Sequence, residues 1–278
     1  MKFLALVIAL ILLRLWGSGE RVQYDDWFCR WQSRVASWQL PQVLATALAL
    51  LVPALVVALL LEAVEDGVFG LAWIALATLL LLYSLGRGNL QVLQARYHEQ
   101  CLAGDFQGAL HGTLPVLGAR PGDDPQSPED VHAEVLRAFY YYGYQRWFAV
   151  LFWFVLTGPV GALVYRLLQL HAATVDAPLP GKLLSLADWI PSRLLAATFA
   201  LAGDFVGSRN ALAGAWREPG QGADSLLCEV GCAAGLPQVD PASPFNELAL
   251  AQHEECGALL ARSASVWLAV VAALVLMA

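Results

Sequence analysis

Residues 40–61 form a run of 22 positions without one charged side chain, and its only polar members are Gln42 and Thr46. A helix needs about 20 predominantly apolar residues to cross a bilayer. A second apolar run, 68–85, follows after Glu62, Glu65, Asp66 and Gly67, so the pair reads as a hairpin around a short acidic turn. Composition agrees with this. Apolar residues make up 58% of the 278-residue chain and charged ones 14%, against about 45–50% and about 25% in an ordinary soluble domain. The excess is gathered into runs, which argues against a disordered chain or a soluble enzyme. The net charge of −7 argues against a nucleic-acid module.

The chain therefore reads as an all-α, polytopic helical membrane protein forming a single integral membrane domain over residues 1–278. About six apolar segments are expected, at 3–16, 40–61, 68–85, 147–170, 183–206 and 264–278. The two terminal segments are short for lone spans. No small-residue cleavage motif follows the first one, where Arg14, Glu20 and Arg21 come instead, so it is read as retained rather than as a signal peptide. An aromatic-rich entrance, Phe139 to Trp147, precedes the fourth segment. With the acidic turn on the outer side, the stretches 14–39, 87–146 and 207–263 share one face and hold 12 of the 16 Lys and Arg. The other face holds only Lys2 and Lys182. That asymmetry assigns 87–146 and 207–263 as helical cytoplasmic loops of the inner membrane. Ser127-Pro128-Glu129-Asp130 predicts a helix start inside the first loop. Five Cys without regular spacing suit a reducing compartment.

Asp188 and Arg193 stand inside an apolar segment, with Pro191 between them. Charges there usually face protein or a polar cavity, and a proline is expected to break or kink the helix beside them. The competing reading is an interfacial stretch whose charges reach water. Gly86-Arg87-Gly88 ends a span: Arg87 suits a carboxylate or phosphate, and equally suits a cap and a positive anchor. Cys228, Cys232, His253 and Cys256 are zinc-type residues at loose spacings, and a buried helix contact accounts for the cysteines as well. No phosphate-binding Gly-x-x-x-x-Gly-Lys loop, nucleophile elbow or H-E-x-x-H is present, and no cofactor or catalytic residue is assigned.

The order of features resembles the AmpE family. Arg14-Leu15, Gly86-Arg87, Phe148-Ala149-Val150-Leu151-Phe152-Trp153 and above all Ala187-Asp188-Trp189-Ile190-Pro191-Ser192-Arg193-Leu194 carry the resemblance nearly end to end. Members are described as bacterial inner-membrane signalling modulators of β-lactamase induction. The similarity extends to the CobD/CbiB synthases of cobalamin biosynthesis through Gly86-Arg87, Gly118-Ala119-Arg120, Glu134, Asp188 to Leu194 and Glu229. Where those synthases carry polar runs around the fourth span, this chain has Ala138-Phe139-Tyr140 and Tyr142-Gly143. The resemblance implies a non-enzymatic sensor linked to peptidoglycan recycling. Arg87 and Arg120 would bind an anionic, muropeptide-like or phosphate-bearing ligand in a cytoplasm-facing cleft, with Glu134, Asp188 and Arg193 around it. The alternative it implies is an ATP-dependent amide-forming ligase that holds Mg²⁺ on Glu134 and Asp188. A homodimer is left open.

Overall fold

The computed structural model describes residues 2–16, 23–65, 70–86, 90–118, 127–235, 237 and 243–277. Among these residues every regular element is helical. The helices are α1 (Lys2–Trp16), α2 (Asp26–Ser37), α3 (Gln42–Ala63), α4 (Leu71–Ser84), α5 (Leu90–Ala103), α6 (Phe106–Gly108) and α7 (Pro128–Gly143). They continue as α8 (Ala149–Thr157), α9 (Pro159–Thr174), α10 (Pro178–Ala202), α11 (Phe205–Arg217), α12 (Ala223–Ala234) and α13 (Phe245–Met277). Wider π-helical turns stand at Ala109–Thr113 and Tyr144–Phe148.

Among the described residues, two helices are long and apolar enough to cross a membrane: α3, and the Phe245–Ala273 part of α13. Only 22% of the α3 window is buried within the protein, which sets it apart from the core helix of a soluble fold. Val43, Leu51, Leu55 and Leu59 point outward, each more than half exposed.

Three apolar runs depart from the sequence expectation. The run 147–170 is not one span. Gly158, at φ 83, ends α8 and Pro159 opens α9, and the two helices pack against each other. α8 continues the helical path of α7 and the Tyr144–Phe148 turn, so the apolar run contributes only 147–157 before the break, about 16 Å against an apolar core of about 30 Å. The terminal run 264–278 is the end of the 33-residue α13 rather than a short separate segment. Pro191 lies inside a continuous α10 instead of breaking it. Proline removes one N–H from the helix ladder, and here the turn that follows is tied by Ser192 Oγ–H and Arg193 Nη1–H to the Trp189 carbonyl, at 3.3 and 3.1 Å.

The chain divides into two compact units: Met1–Gly88, Ala149–Asp188 and Leu274–Ala278 form the first, Asn89–Phe148 and Trp189–Ala273 the second. In the first unit α4 packs on α1 and α9, and α3 packs on α9. Its core joins Phe28, Leu50, Tyr83, Leu163, Leu167 and Leu168. In the second, α12 packs on α7 and α11. Gly231 makes the first of these contacts feasible, because a Cβ there would stand 2.6 Å from the Tyr140 ring. The helix start predicted at Ser127 is present as a reciprocal capping box: Ser127 Oγ accepts from the Asp130 N–H and Asp130 Oδ2 from the Ser127 N–H, both at 3.1 Å.

Candidate functional site

Arg193 is fully buried, with 1% of its surface exposed, on a helix whose other face is apolar. A guanidinium in that setting needs acceptors, and it finds three carbonyls. Nε–H donates to Ala215 O at 3.1 Å, Nη1–H to Trp189 O at 3.1 Å, and Nη2–H to Glu218 O at 3.3 Å. The Ala215 carbonyl belongs to the last turn of α11, and Glu218 caps that helix. A cation here answers both the orphan carbonyls and the negative end of the helix dipole. Trp189 completes the clamp: its ring lies 4.4 Å beneath the guanidinium, and its Nε1–H donates to Pro219 O at 3.2 Å. Thus Trp189-x-x-x-Arg193 of α10 locks the end of α11.

Asp188 is buried in the first unit, where Oδ1 accepts from the Tyr165 O–H at 2.6 Å. Glu134 is half-buried on α7 and pairs with Arg137, Nη1 to Oε1 at 3.1 Å. Arg87 and Arg120 lie outside the described residues, as do Gly88 and Ala119.

Two polar networks inside the first unit have no short sequence pattern. In one, Gln32 Nε2–H donates to His171 Nδ1 at 2.9 Å, and His171 Nε2–H donates to Thr46 Oγ1 at 3.3 Å, so one imidazole joins α2, α9 and α3. In the other, Tyr83 O–H donates to Asp25 Oδ1 at 2.9 Å and accepts from Trp27 Nε1–H at 3.2 Å, while Arg166 Nη2 lies 3.7 Å from Asp25 Oδ2. Polar side chains that bridge helices in this way are how intramembrane packing becomes specific.

The second unit buries an aromatic and imidazole cluster. His132 Nδ1 accepts from the Tyr97 O–H at 2.7 Å, and its Nε2–H donates to Gln252 Oε1 at 2.9 Å, which fixes the neutral tautomer. Burial holds the His132 pKa below the usual histidine value, against a smaller opposing effect from Gln252. Burial likewise pushes the Tyr97 and Cys101 groups up. Beside this cluster, an open groove of about 540 Å³ is lined by Gln94, His98, Glu99, His253 and Glu254. Cys228 and Cys232 face each other on α12 with Sγ atoms 3.9 Å apart. The hydrogen bond between them raises the first thiol and lowers the second. Among the described residues no group of three His, Cys, Asp or Glu is arranged to hold a metal ion.

These features define an all-helical chain with two helices long and apolar enough to cross a bilayer and with charged groups buried between helices. The family model described as "Regulatory signalling modulator protein AmpE" matches residues 1–217, and the chain belongs to the AmpE family. The matched stretch ends on Arg217, the last residue of α11, between the Ala215 and Glu218 carbonyls that Arg193 clamps. No curated protein and no solved structure matches the chain. The CobD/CbiB likeness rests on the sequence resemblance alone.

Proposed function

We propose that the protein is a signalling modulator embedded in the bacterial inner membrane, which binds a small anionic ligand from the cytoplasmic side. Membership of a family of regulatory signalling modulators supports the signalling role. The observation that carries membrane insertion is α3: a 22-residue helix, apolar but for Gln42, Thr46 and Glu62, whose side chains are mostly left uncovered by protein. Water would penalise that surface heavily, whereas lipid tails would not. The 12-to-2 split of basic residues supports cytoplasmic placement of 87–146 and 207–263.

In this reading Arg87 and Arg120 supply the positive charge for a carboxylate or phosphate, the chemistry of a muropeptide fragment. Asp188 and Arg193 act by ordering: each is buried, with partners of its own, and together they fix α10 on either side of Pro191. Glu134, paired with Arg137, balances charge on α7.

The test is a thermal-shift series on detergent-purified protein with anhydro-muropeptides, inorganic phosphate and Mg-ATP. A ligand at 100 times its Kd stabilises the fold by about 2.7 kcal/mol. Muropeptide is expected to raise the Tm, and Arg87→Ala to abolish the shift without altering the Tm of the free protein. An undiminished shift in Arg87→Ala removes that residue from the site. A shift with Mg-ATP alone, accompanied by turnover, would replace the sensor with the ligase.

A further inference from the structure

The helix before the first long span has two unlike flanks. Successive residues turn by about 100° around a helix axis, so Phe28 and Val35 fall together on the inner face of α2, where both are buried. Going round one way from that face come Trp31, Trp38, Trp27, Arg34 and Arg30 in order. Going the other way come Gln32, Ala36, Cys29, Ser33 and Asp26. One flank is therefore three indoles followed by two guanidiniums; the other is small, polar or acidic.

Beyond Trp31, which packs on the core of the first unit with its indole nitrogen buried, the Trp–Arg flank is open. Trp38 is 49% and Trp27 37% exposed, and Tyr24, just ahead of the helix, is 69% exposed. Arg30 and Arg34 are exposed, and among the described residues neither takes part in a salt bridge. The indoles are held rather than loose. Trp31 and Trp38 meet edge to face with centroids 6.0 Å apart, and Trp27 is tied to Tyr83.

The position of α2 follows from α3. Gln39 takes the left-handed φ of 50 and Pro41 precedes the first turn, so the chain bends sharply after α2 and starts α3 at Gln42. At 22 residues α3 is about 33 Å long, a match for an apolar core of about 30 Å. Its outward apolar side chains begin at Val43. When α3 spans, its first residue is at one edge of that core, and α2, which ends at Ser37 and packs on α3, is held beside that edge.

We propose that α2 is a docking helix for anionic phospholipid. Trp27 and Trp38 lie at the level of the glycerol backbone, with Trp31 packed inward against Trp38 and the core, and Arg30 and Arg34 hold headgroup phosphates in the leaflet where α3 begins. The chemistry fits: indoles favour the half-wet interface, and a guanidinium forks onto phosphate oxygens. The Cys29–Ser33 flank is turned to water. This inference rests on the membrane reading of α3.

The experiment uses the full chain in nanodiscs of phosphatidylcholine, alone or mixed with phosphatidylglycerol. Cys228 and Cys232 are replaced by Ser, while the buried Cys101 and Cys256 are kept. An environment-sensitive fluorophore is attached in turn to the natural Cys29, to Trp38→Cys and to Val56→Cys, the last two in a Cys29→Ser background. We expect the label at position 38 to emit blue and to be quenched by lipid brominated near the headgroup, more strongly with phosphatidylglycerol present. The label on Cys29 stays water-like, and the one at position 56 is quenched by lipid brominated deep in the chain. Arg30→Gln with Arg34→Gln removes the phosphatidylglycerol effect at position 38, and the double Lys variant restores most of it; matched Tm values confirm folding. A water-like label at position 38 beside a quenched label at 56 overturns the docking helix alone. Loss of quenching at 56 as well overturns the membrane reading itself. A phosphatidylglycerol effect that survives the double Gln variant removes the two arginines from the site.

Discussion

The helices of the two units begin in different ways. In the first unit α2, α3, α4 and α9 start without a side-chain hydrogen bond at the cap, from Asp25, Pro41, Gly70 and Gly158. In the second, Asp105, Ser127 and Asp204 each accept a backbone N–H at the start of α6, α7 and α11, while α12 starts uncapped from Gly222. Side-chain caps replace water at the orphan donors of a helix end. The second unit thus satisfies more of its helix starts with local side chains. The first unit relies on apolar packing between helices and on buried bridges such as Gln32–His171–Thr46. One unit adds local caps to its long-range contacts; the other relies at its helix starts on long-range contacts alone.

Arg193→Ala should have the largest effect. It strips three carbonyls of their donor and leaves a void beside Trp189, a loss of about 3 kcal/mol or more. Thermal unfolding of the purified protein would register it, with Arg193→Lys recovering only part because an ammonium cannot reach three acceptors in a fork. A Tm unchanged by Arg193→Ala would mean the clamp adds nothing to the second unit. Gly231→Ala comes next, since the new methyl meets the Tyr140 ring. Overpacking of this kind costs about 1–3 kcal/mol, visible as a lower denaturant midpoint.

The cap contrast is broken or sharpened by a pair of variants. Ser127→Ala removes half of a capping box and should cost about 1 kcal/mol. Pro41→Ala, at an uncapped start, should stay within about 0.5 kcal/mol of the parent. A larger loss at Pro41 than at Ser127 reverses the comparison. The smallest effect is a pH dependence. The folded state holds His132 neutral with a lowered pKa, so the unfolded chain takes up the proton first. The stabilisation is complete above the ordinary histidine value of about 6.5 and is lost as pH falls below it toward the folded pKa. His132→Gln should flatten the fall in Tm between neutral and mildly acid pH; an unaltered slope assigns it to other groups.

Much of the helical layout was legible in the sequence because long apolar runs and Ser-Pro-Glu-Asp starts are local signals. The division at Gly158 was legible too, since Gly-Pro is a turn signal, yet run length alone fused α8 and α9 into one span. Pro191 misled in the opposite direction. It lies within α10, which runs on from Pro178 to Ala202. The candidate site was legible only as residue types. Asp188 and Arg193 stood out as charges in an apolar run, but the partners of Arg193 are carbonyls 22 and 25 residues further along, and a carbonyl has no letter in a sequence. The same holds for His171, whose partner Thr46 is 125 residues away.

The outward leucines and valines of α3 also set how the purified molecule will weigh. On the membrane reading of α3, detergent coats Val43, Leu51, Leu55 and Leu59 along the helix, and the particle that elutes from a sizing column is polypeptide plus collar, well above 30.0 kDa. Light scattering read together with absorbance separates the two masses, and the collar mass becomes a direct gauge of how broad that apolar belt is.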